Sequence, residues 1–189
     1  TVKRARDKYD PTSKLIGYAL TDLAKEAQQE FFDKAIEGGA FEPLDYTSYH
    51  PYSYSDLEVS GPETLTIKWN NYVEEKLGRE YDIIASEIGY TQADPVTNGD
   101  ARTQGNLMTR YDTYFSSIGF SDFHCIYNMA RKGDIPYLRE DMYGITSPAY
   151  QHLTQEQKTL IPTEGFVAVT GHSYVFADTD FKKILKNDE

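Results

Sequence analysis

The run Tyr81-Asp82-Ile83-Ile84-Ala85-Ser86-Glu87-Ile88-Gly89-Tyr90 decides how this chain reads. A short, continuous apolar segment bounded by turn signals is the pattern of a strand buried on both faces, as in a parallel sheet. Glu87 breaks the apolar run just before Gly89 lets the backbone leave the sheet. A lone ionised carboxylate in that position is costly unless it is paired, hydrogen-bonded or open to a water-filled cleft. The run therefore predicts a strand with a carboxylate at its exit, the place where a catalytic acid would sit. The simpler alternative is a glutamate that has already reached an exposed loop.

Outward from this strand, β-prone runs alternate with amphipathic helical stretches, the sign of βα units around a parallel sheet. Val2 to Tyr9 reads as helix, stopped by Asp10-Pro11 because the residue before proline is pushed out of the helical region. Leu15 to Leu20 reads as a first strand. After Thr21 or Asp22 as a cap, Leu23 to Ile36 places Ala24, Ala27, Phe31 and Ala35, with Phe32 and Ile36 beside them, on one stripe. Gly38-Gly39 ends that helix. Leu44 to Tyr49 is the second strand, and a helix led by Pro62 and Glu63 repeats Leu65, Trp69, Tyr72, Val73 and Leu77 before Gly78.

Beyond the third strand, Asp94-Pro95 and Asn98-Gly99 signal a turn-rich polar loop. A helix over Ala101 to Ser117 carries Leu107, Tyr111, Tyr114 and Phe115 on one side. Phe123 to Met129 is the fourth strand, Gly133-Asp134 a turn, and Ala149 to Leu153 a short helix. At the end, Gly165 to Thr170 and Ser173 to Phe176, separated by Gly171-His172, read as a β hairpin or the start of a β module.

With 189 residues, 39% of them hydrophobic and 26% charged, the chain can build a sizeable core. A formal net charge of −11 opposes nucleic-acid binding, which needs basic patches that displace counterions. No apolar run reaches the roughly 20 residues that span a bilayer, so no membrane partner is expected. The single cysteine, Cys125, excludes an internal disulfide and is expected to be a buried thiol in the fourth strand. It leaves the compartment open, with an extracellular or cell-surface setting as the expectation. The four histidines form no His-x-x-x-His pair, no Gly-x-Ser-x-Gly turn occurs, and neither a metal nor a cofactor is expected. Sixteen tyrosines are the compositional oddity; a flat apolar face with a polar tip suits core edges, interfaces and the stacking of sugar rings alike.

Parallel βα units gather ligand-binding groups at the carboxyl ends of their strands. Here those ends carry Asp22, His50, Tyr52, Glu87, Tyr90, Tyr127, Asn128 and Arg131. The order His50-Pro51-Tyr52, a helix with Trp69, Ser86-Glu87-Ile88-Gly89-Tyr90, Ile126 to Asp134 and Tyr143-Gly144-Ile145 resembles strands five to eight of the clan A (β/α)8 glycoside hydrolases. The resemblance runs from about Lys14 to Leu153. It implies an α/β fold in which residues 1–160 form the C-terminal part of a TIM barrel and 161–189 a β extension. It implies a retaining hydrolase acting on a poly- or oligosaccharide, with Glu87 as nucleophile. His50 or Tyr52 would hydrogen-bond Glu87, and Tyr90 and Tyr127 would stack on sugar rings.

The chain departs from the clan in two ways. A tryptophan is usual on strand eight and Tyr127 stands near that place instead. The acid/base glutamate of the clan's Asn-Glu pair is absent from the 189 residues. A full barrel takes about 250 residues, so the resemblance implies that the acid/base lies outside this chain and that the chain alone is inactive. The expected partners are carbohydrate and the missing N-terminal half, or a second protein chain, since half a barrel leaves open sheet edges. Two other readings compete. One is a non-catalytic carbohydrate-binding or surface-recognition module. The other is a stand-alone doubly wound α/β protein binding a small anion or nucleotide, disfavoured because no Gly-rich phosphate loop follows any strand.

Overall fold

The computed structural model describes residues 2–21, 25–53, 57, 62–118, 124–132, 136–148, 160–177 and 179. The chain divides into two compact units, one of residues 1–51, 63–87 and 120–125, the other of 52–62, 88–119 and 126–189.

The first unit is built on parallel strands. Strand β1 (Tyr46–Tyr49) pairs parallel with β2 (Asp82–Ile88), Tyr46 opposite Asp82 and Tyr49 opposite Ala85. With β3 (His124–Ile126) they form a sheet in the order β1-β2-β3. The expected apolar run is indeed the buried strand: Ile83, Ile84 and Ala85 are all buried. The first expected strand, Leu15 to Leu20, is reduced to two parallel bridges, Ile16 with Tyr46 and Leu20 with Tyr49.

Among the described residues this unit carries the helices α1 (Val2–Tyr9), α2 (Glu26–Glu37) and α3 (Pro62–Leu77). Asp45, just before β1, ties α1 down. It accepts from Arg6 Nη1 at 2.9 Å and from the Leu15 amide at 2.8 Å. Helix α3 ends where the sequence asks, at Gly78 with φ +66°, a left-handed conformation that a side chain disfavours. Trp69 and Val73, one helical turn apart, are each 1% exposed. On α2 the buried aromatic is Phe32, while Phe31 is half exposed and Ala27 lies open, so the core stripe is turned by one residue from the expected one. Phe32 selects that rotation because its ring meets Phe41 at 4.5 Å and Trp69 at 5.3 Å. Trp69 in turn stacks on Tyr49 at 5.7 Å. The Tyr49 hydroxyl bonds Thr66 Oγ1, and burial pushes this phenol well above its ordinary pKa.

The second unit contains α4 (Ala101–Ile118), a 3-10 turn (Arg139–Asp141), the antiparallel pair β4 (Thr146–Pro148) and β5 (Leu160–Pro162), and α5 (Glu164–Phe176). Leu107, Met108, Tyr111 and Phe115 form the buried stripe of α4. The turn-rich loop after β2 is compact, with Thr91, Gln92, Asp94 and Thr97 buried. Arg139 clamps Asp94 through two bonds of 2.9 and 3.0 Å. Burial nevertheless raises the Asp94 pKa, with the guanidinium opposing the rise.

Two expectations are corrected here. The C-terminal hairpin over Gly165 to Phe176 is the helix α5. Its Thr163 side chain caps the Phe166 amide, Glu164 stands in the first turn, and Gly165 and Ala168 let the helix press against Gly105 of α4. A Cβ at Gly105 would lie 2.8 Å from Gly165 Cα. That close crossing outweighs the β propensity of Phe, Val and Tyr, which is a weak and context-dependent preference. Cys125 is exposed rather than buried, because β3 has a neighbour on one side only among the described residues and Cys125 points away from His124 and Ile126 in the strand's alternation. The expected cap at Asp22, the turn at Gly133-Asp134 and the short helix around Ala149 to Leu153 lie outside the described residues.

Candidate active site

Parallel pairing of β1 and β2 sends both strands out at the same end, which is why two residues far apart in sequence meet there. Glu87 is the last residue but one of β2, and His50 directly follows β1. The His50 amide donates to the Leu20 carbonyl at 2.9 Å, fixing the backbone as it leaves the strand. The His50 Nδ1 atom stands 3.9 Å from Glu87 Oε1. That distance is too long for the hydrogen bond expected from His50 to Glu87, so the interaction is electrostatic instead. The His50 side chain is 15% exposed and that of Glu87 33%. The carboxylate is thus open to water while the imidazole is mostly covered.

Burial lowers the His50 pKa, and the Glu87 charge opposes this without overcoming it. The imidazole is therefore neutral around pH 7, and Glu87 is not neutralised by a histidinium. A water-accessible carboxylate flanked by a neutral imidazole can act as a nucleophile or as a base.

The other expected site residues belong to the second unit. Tyr127 and Tyr52 are partly buried, and each meets Tyr143 edge to face, at 5.3 and 5.7 Å. The Tyr127 hydroxyl donates to Glu140 Oε2 at 3.2 Å and also bonds Lys132 Nζ, whose ammonium lies 4.9 Å over the ring centre. Tyr127 and Tyr52 keep exposed surface that a sugar ring could cover. Tyr90 does not. It is 1% exposed and packs edge-on against Tyr111 of α4, so it is a core residue and not a stacking platform. Glycine at position 89 is required by its neighbours, since a Cβ there would fall 2.2 Å from the Tyr127 carbonyl oxygen and 3.1 Å from Tyr143 Cδ1.

Two residues of this region carry no role in the sequence reading. Tyr143 had its place in the resemblance but its ring joins Tyr52 to Tyr127 only in the fold. Gln104 is fully buried on the apolar stripe of α4. Its signal was legible in principle, a polar amide at three- and four-residue spacing from Leu107 and Met108. Among the described residues, no group of three or more His, Cys, Asp or Glu is arranged to hold a metal ion, and no helix is long and apolar enough to cross a membrane.

No protein-family model and no curated protein sequence matches the chain. Solved structures do resemble it. A family 39 glycoside hydrolase from the gut symbiont Bacteroides cellulosilyticus WH2 superposes with a TM-score of 0.59 at 17% identity, over 83% of this chain and 32% of the hydrolase. A β-glucuronidase from Ruminococcus gnavus, solved with D-glucuronic acid, gives a TM-score of 0.53 at 15% identity, over 92% of this chain and 28% of that one. The chain thus spans about a third or less of the length of these structures. At such identity the likeness is one of fold: the chain has a glycoside-hydrolase-like α/β fold with parallel strands.

Proposed function

We propose that residues 1–160 are the C-terminal part of a (β/α)8 barrel of a retaining glycoside hydrolase acting on a poly- or oligosaccharide, with Glu87 as its nucleophile. The observation that carries this reading is the meeting of Glu87 and His50 at the exits of two paired parallel strands, 3.9 Å apart, with the carboxylate open to water. The fold likeness to two glycoside hydrolases supports it.

In this scheme Glu87 Oε attacks the anomeric carbon and the glycosidic oxygen leaves with a proton from a second carboxylic acid. The resulting glycosyl ester is then opened by water, and the anomeric configuration is kept. The two carboxyl groups of a retaining enzyme stand about 5–5.5 Å apart. The second lies on the polypeptide that completes the barrel, since the 189 residues contain no Asn-Glu pair. His50, kept neutral by its burial, does not tie Glu87 up in an ion pair. In the second unit, taken by itself, Tyr127 and Tyr52 have ring faces suited to carbohydrate. By itself the chain has little or no hydrolase activity, and its partners are carbohydrate and the N-terminal barrel half. Proton NMR of the first-formed product of the completed barrel tests the scheme. Retention of the anomeric configuration is expected; an inverted product would overturn it.

The second reading, a carbohydrate-binding module without turnover, is favoured by the aromatic cluster of Tyr52, Tyr143 and Tyr127. It requires glycan binding that is indifferent to Glu87→Gln and no hydrolysis by the completed protein.

A further inference from the structure

Gln104 occupies a position where an apolar residue would be ordinary. It lies on the stripe of Leu107, Met108, Tyr111 and Phe115 and is 0% exposed. Burying a primary amide is unfavourable unless its groups are bonded. Here they are. Gln104 Nε2 donates to the Tyr90 carbonyl at 2.7 Å and to the Tyr143 carbonyl at 3.0 Å, and Oε1 accepts from Gln92 Nε2 at 2.7 Å. Gln92 Oε1 in turn accepts from the Arg131 guanidinium. One amide thereby joins the segment leaving β2, the Tyr143 segment and, through Gln92 and Arg131, the segment leaving β3.

Tyr143 is the hinge of the aromatic cluster. Its ring rests on Gly89 and stands edge-on to both Tyr52 and Tyr127. A carbonyl held from behind and a ring held by a glycine in front leave the side chain little freedom. Pre-ordering of this kind lowers what a ligand must spend on immobilising the rings it covers.

We propose that Gln104 is a positioning residue for a sugar-stacking platform formed by Tyr127 and Tyr52 around Tyr143, its amide fixing the Tyr143 and Tyr90 backbones so that the rings are in place before a pyranose arrives. The inference rests on the carbohydrate reading given above and deepens it. An apolar isostere at 104 fills the same volume but removes the bonds that Gln104 gives to the Tyr90 and Tyr143 carbonyls and takes from Gln92, so the platform loosens while the core stays filled.

The test compares the chain with its Gln104→Met, Gln104→Glu and Tyr127→Ala variants. Affinity is measured by calorimetric titration with cello- and xylo-oligosaccharides, and ring order by the carbon–proton spectrum of the tyrosines. Gln104→Met is expected to weaken binding at least tenfold and to move the ring resonances of Tyr52, Tyr127 and Tyr143, while those of Tyr72 in the first unit stay put. Gln104→Glu is expected to bind poorly at pH 7.5, where a carboxylate would face two carbonyls. It should recover towards pH 5, where a protonated acid again donates; a purely space-filling role would show no such recovery. If both Gln104 variants bind within twofold of the parent while Tyr127→Ala binds at least tenfold more weakly, the positioning role is wrong and the carbohydrate reading stands. If Tyr127→Ala itself binds as the parent does, the carbohydrate reading fails and takes the positioning role with it.

Discussion

Gly89→Ala is a sharp perturbation of the second unit, because the clash it makes is with backbone. The added Cβ would lie 2.2 Å from the Tyr127 carbonyl oxygen, whereas ordinary contact begins at 3.4 Å, so one of the two must give by about 1.2 Å. The oxygen cannot swing away freely. The Tyr127 amide is bonded to the Ile88 carbonyl at 2.6 Å, and the Tyr143 ring, 3.1 Å from the same Cβ, closes the other side. Overpacking usually costs about 1–3 kcal/mol, and a clash held on two sides belongs at the upper end, about 3 kcal/mol. With a urea m-value of about 2 kcal/mol/M for a chain of this size, the unfolding midpoint should fall by about 1.5 M. Gly78→Ala is the calibrating control. Nothing lies within 4 Å of its Cβ, and only the φ of +66° resists it, worth about 1–2 kcal/mol. Urea titrations of both variants decide the matter. The reasoning is refuted if Gly89→Ala lowers the midpoint no more than Gly78→Ala does.

Three further outcomes are expected. His50→Gln should change the pH dependence of stability: burial holds the native His50 pKa below that of the unfolded chain, so the unfolded state takes up the proton first as pH falls, and the parent should lose stability relative to the variant as pH falls through the ordinary histidine range. Urea midpoints that fall in parallel across that range would contradict this. Phe32→Ala should cost about 3–5 kcal/mol and Phe31→Ala much less, since only the first ring lies within the Phe41–Trp69 cluster; equal losses in denaturation would refute the assigned rotation of α2. Thr163→Ala should cost about 1 kcal/mol and speed hydrogen exchange at the Phe166 amide that the threonine caps, whereas unchanged exchange there would remove the cap from the account of α5.

The legible parts of the fold were those where local pattern and tertiary packing agree. The Ile83 to Ala85 run reads as a strand from its continuous apolar pattern and is buried within a parallel sheet, and Trp69 with Val73 announces the buried side of α3 by spacing alone. Gly78 ends α3 because its φ is positive, a requirement that the sequence displays directly. The illegible parts depend on contacts remote in sequence. Nothing local distinguishes Phe31 from Phe32; Phe41 and Trp69 do. Gly165 to Phe176 reads as strand from its Phe, Val and Tyr, and it is a helix because Gly105 admits it closely. That His50 and Glu87 stand near each other follows from their strand ends, but the expected hydrogen bond between them is not formed at 3.9 Å, and the burial of Tyr90 was not legible, since Tyr111 and Gln104 that cover and hold it come from the next helix.

The nucleophilic role of Glu87 is the claim on which the rest of the proposed chemistry depends. Its most direct measurement is covalent trapping: the completed protein is treated with an activated 2-fluoro glycoside, digested, and the labelled peptide sequenced by mass spectrometry. A single glycosyl adduct on Glu87, lost in Glu87→Gln, is expected. An adduct on any other residue, or labelling that survives Glu87→Gln unchanged, would contradict it.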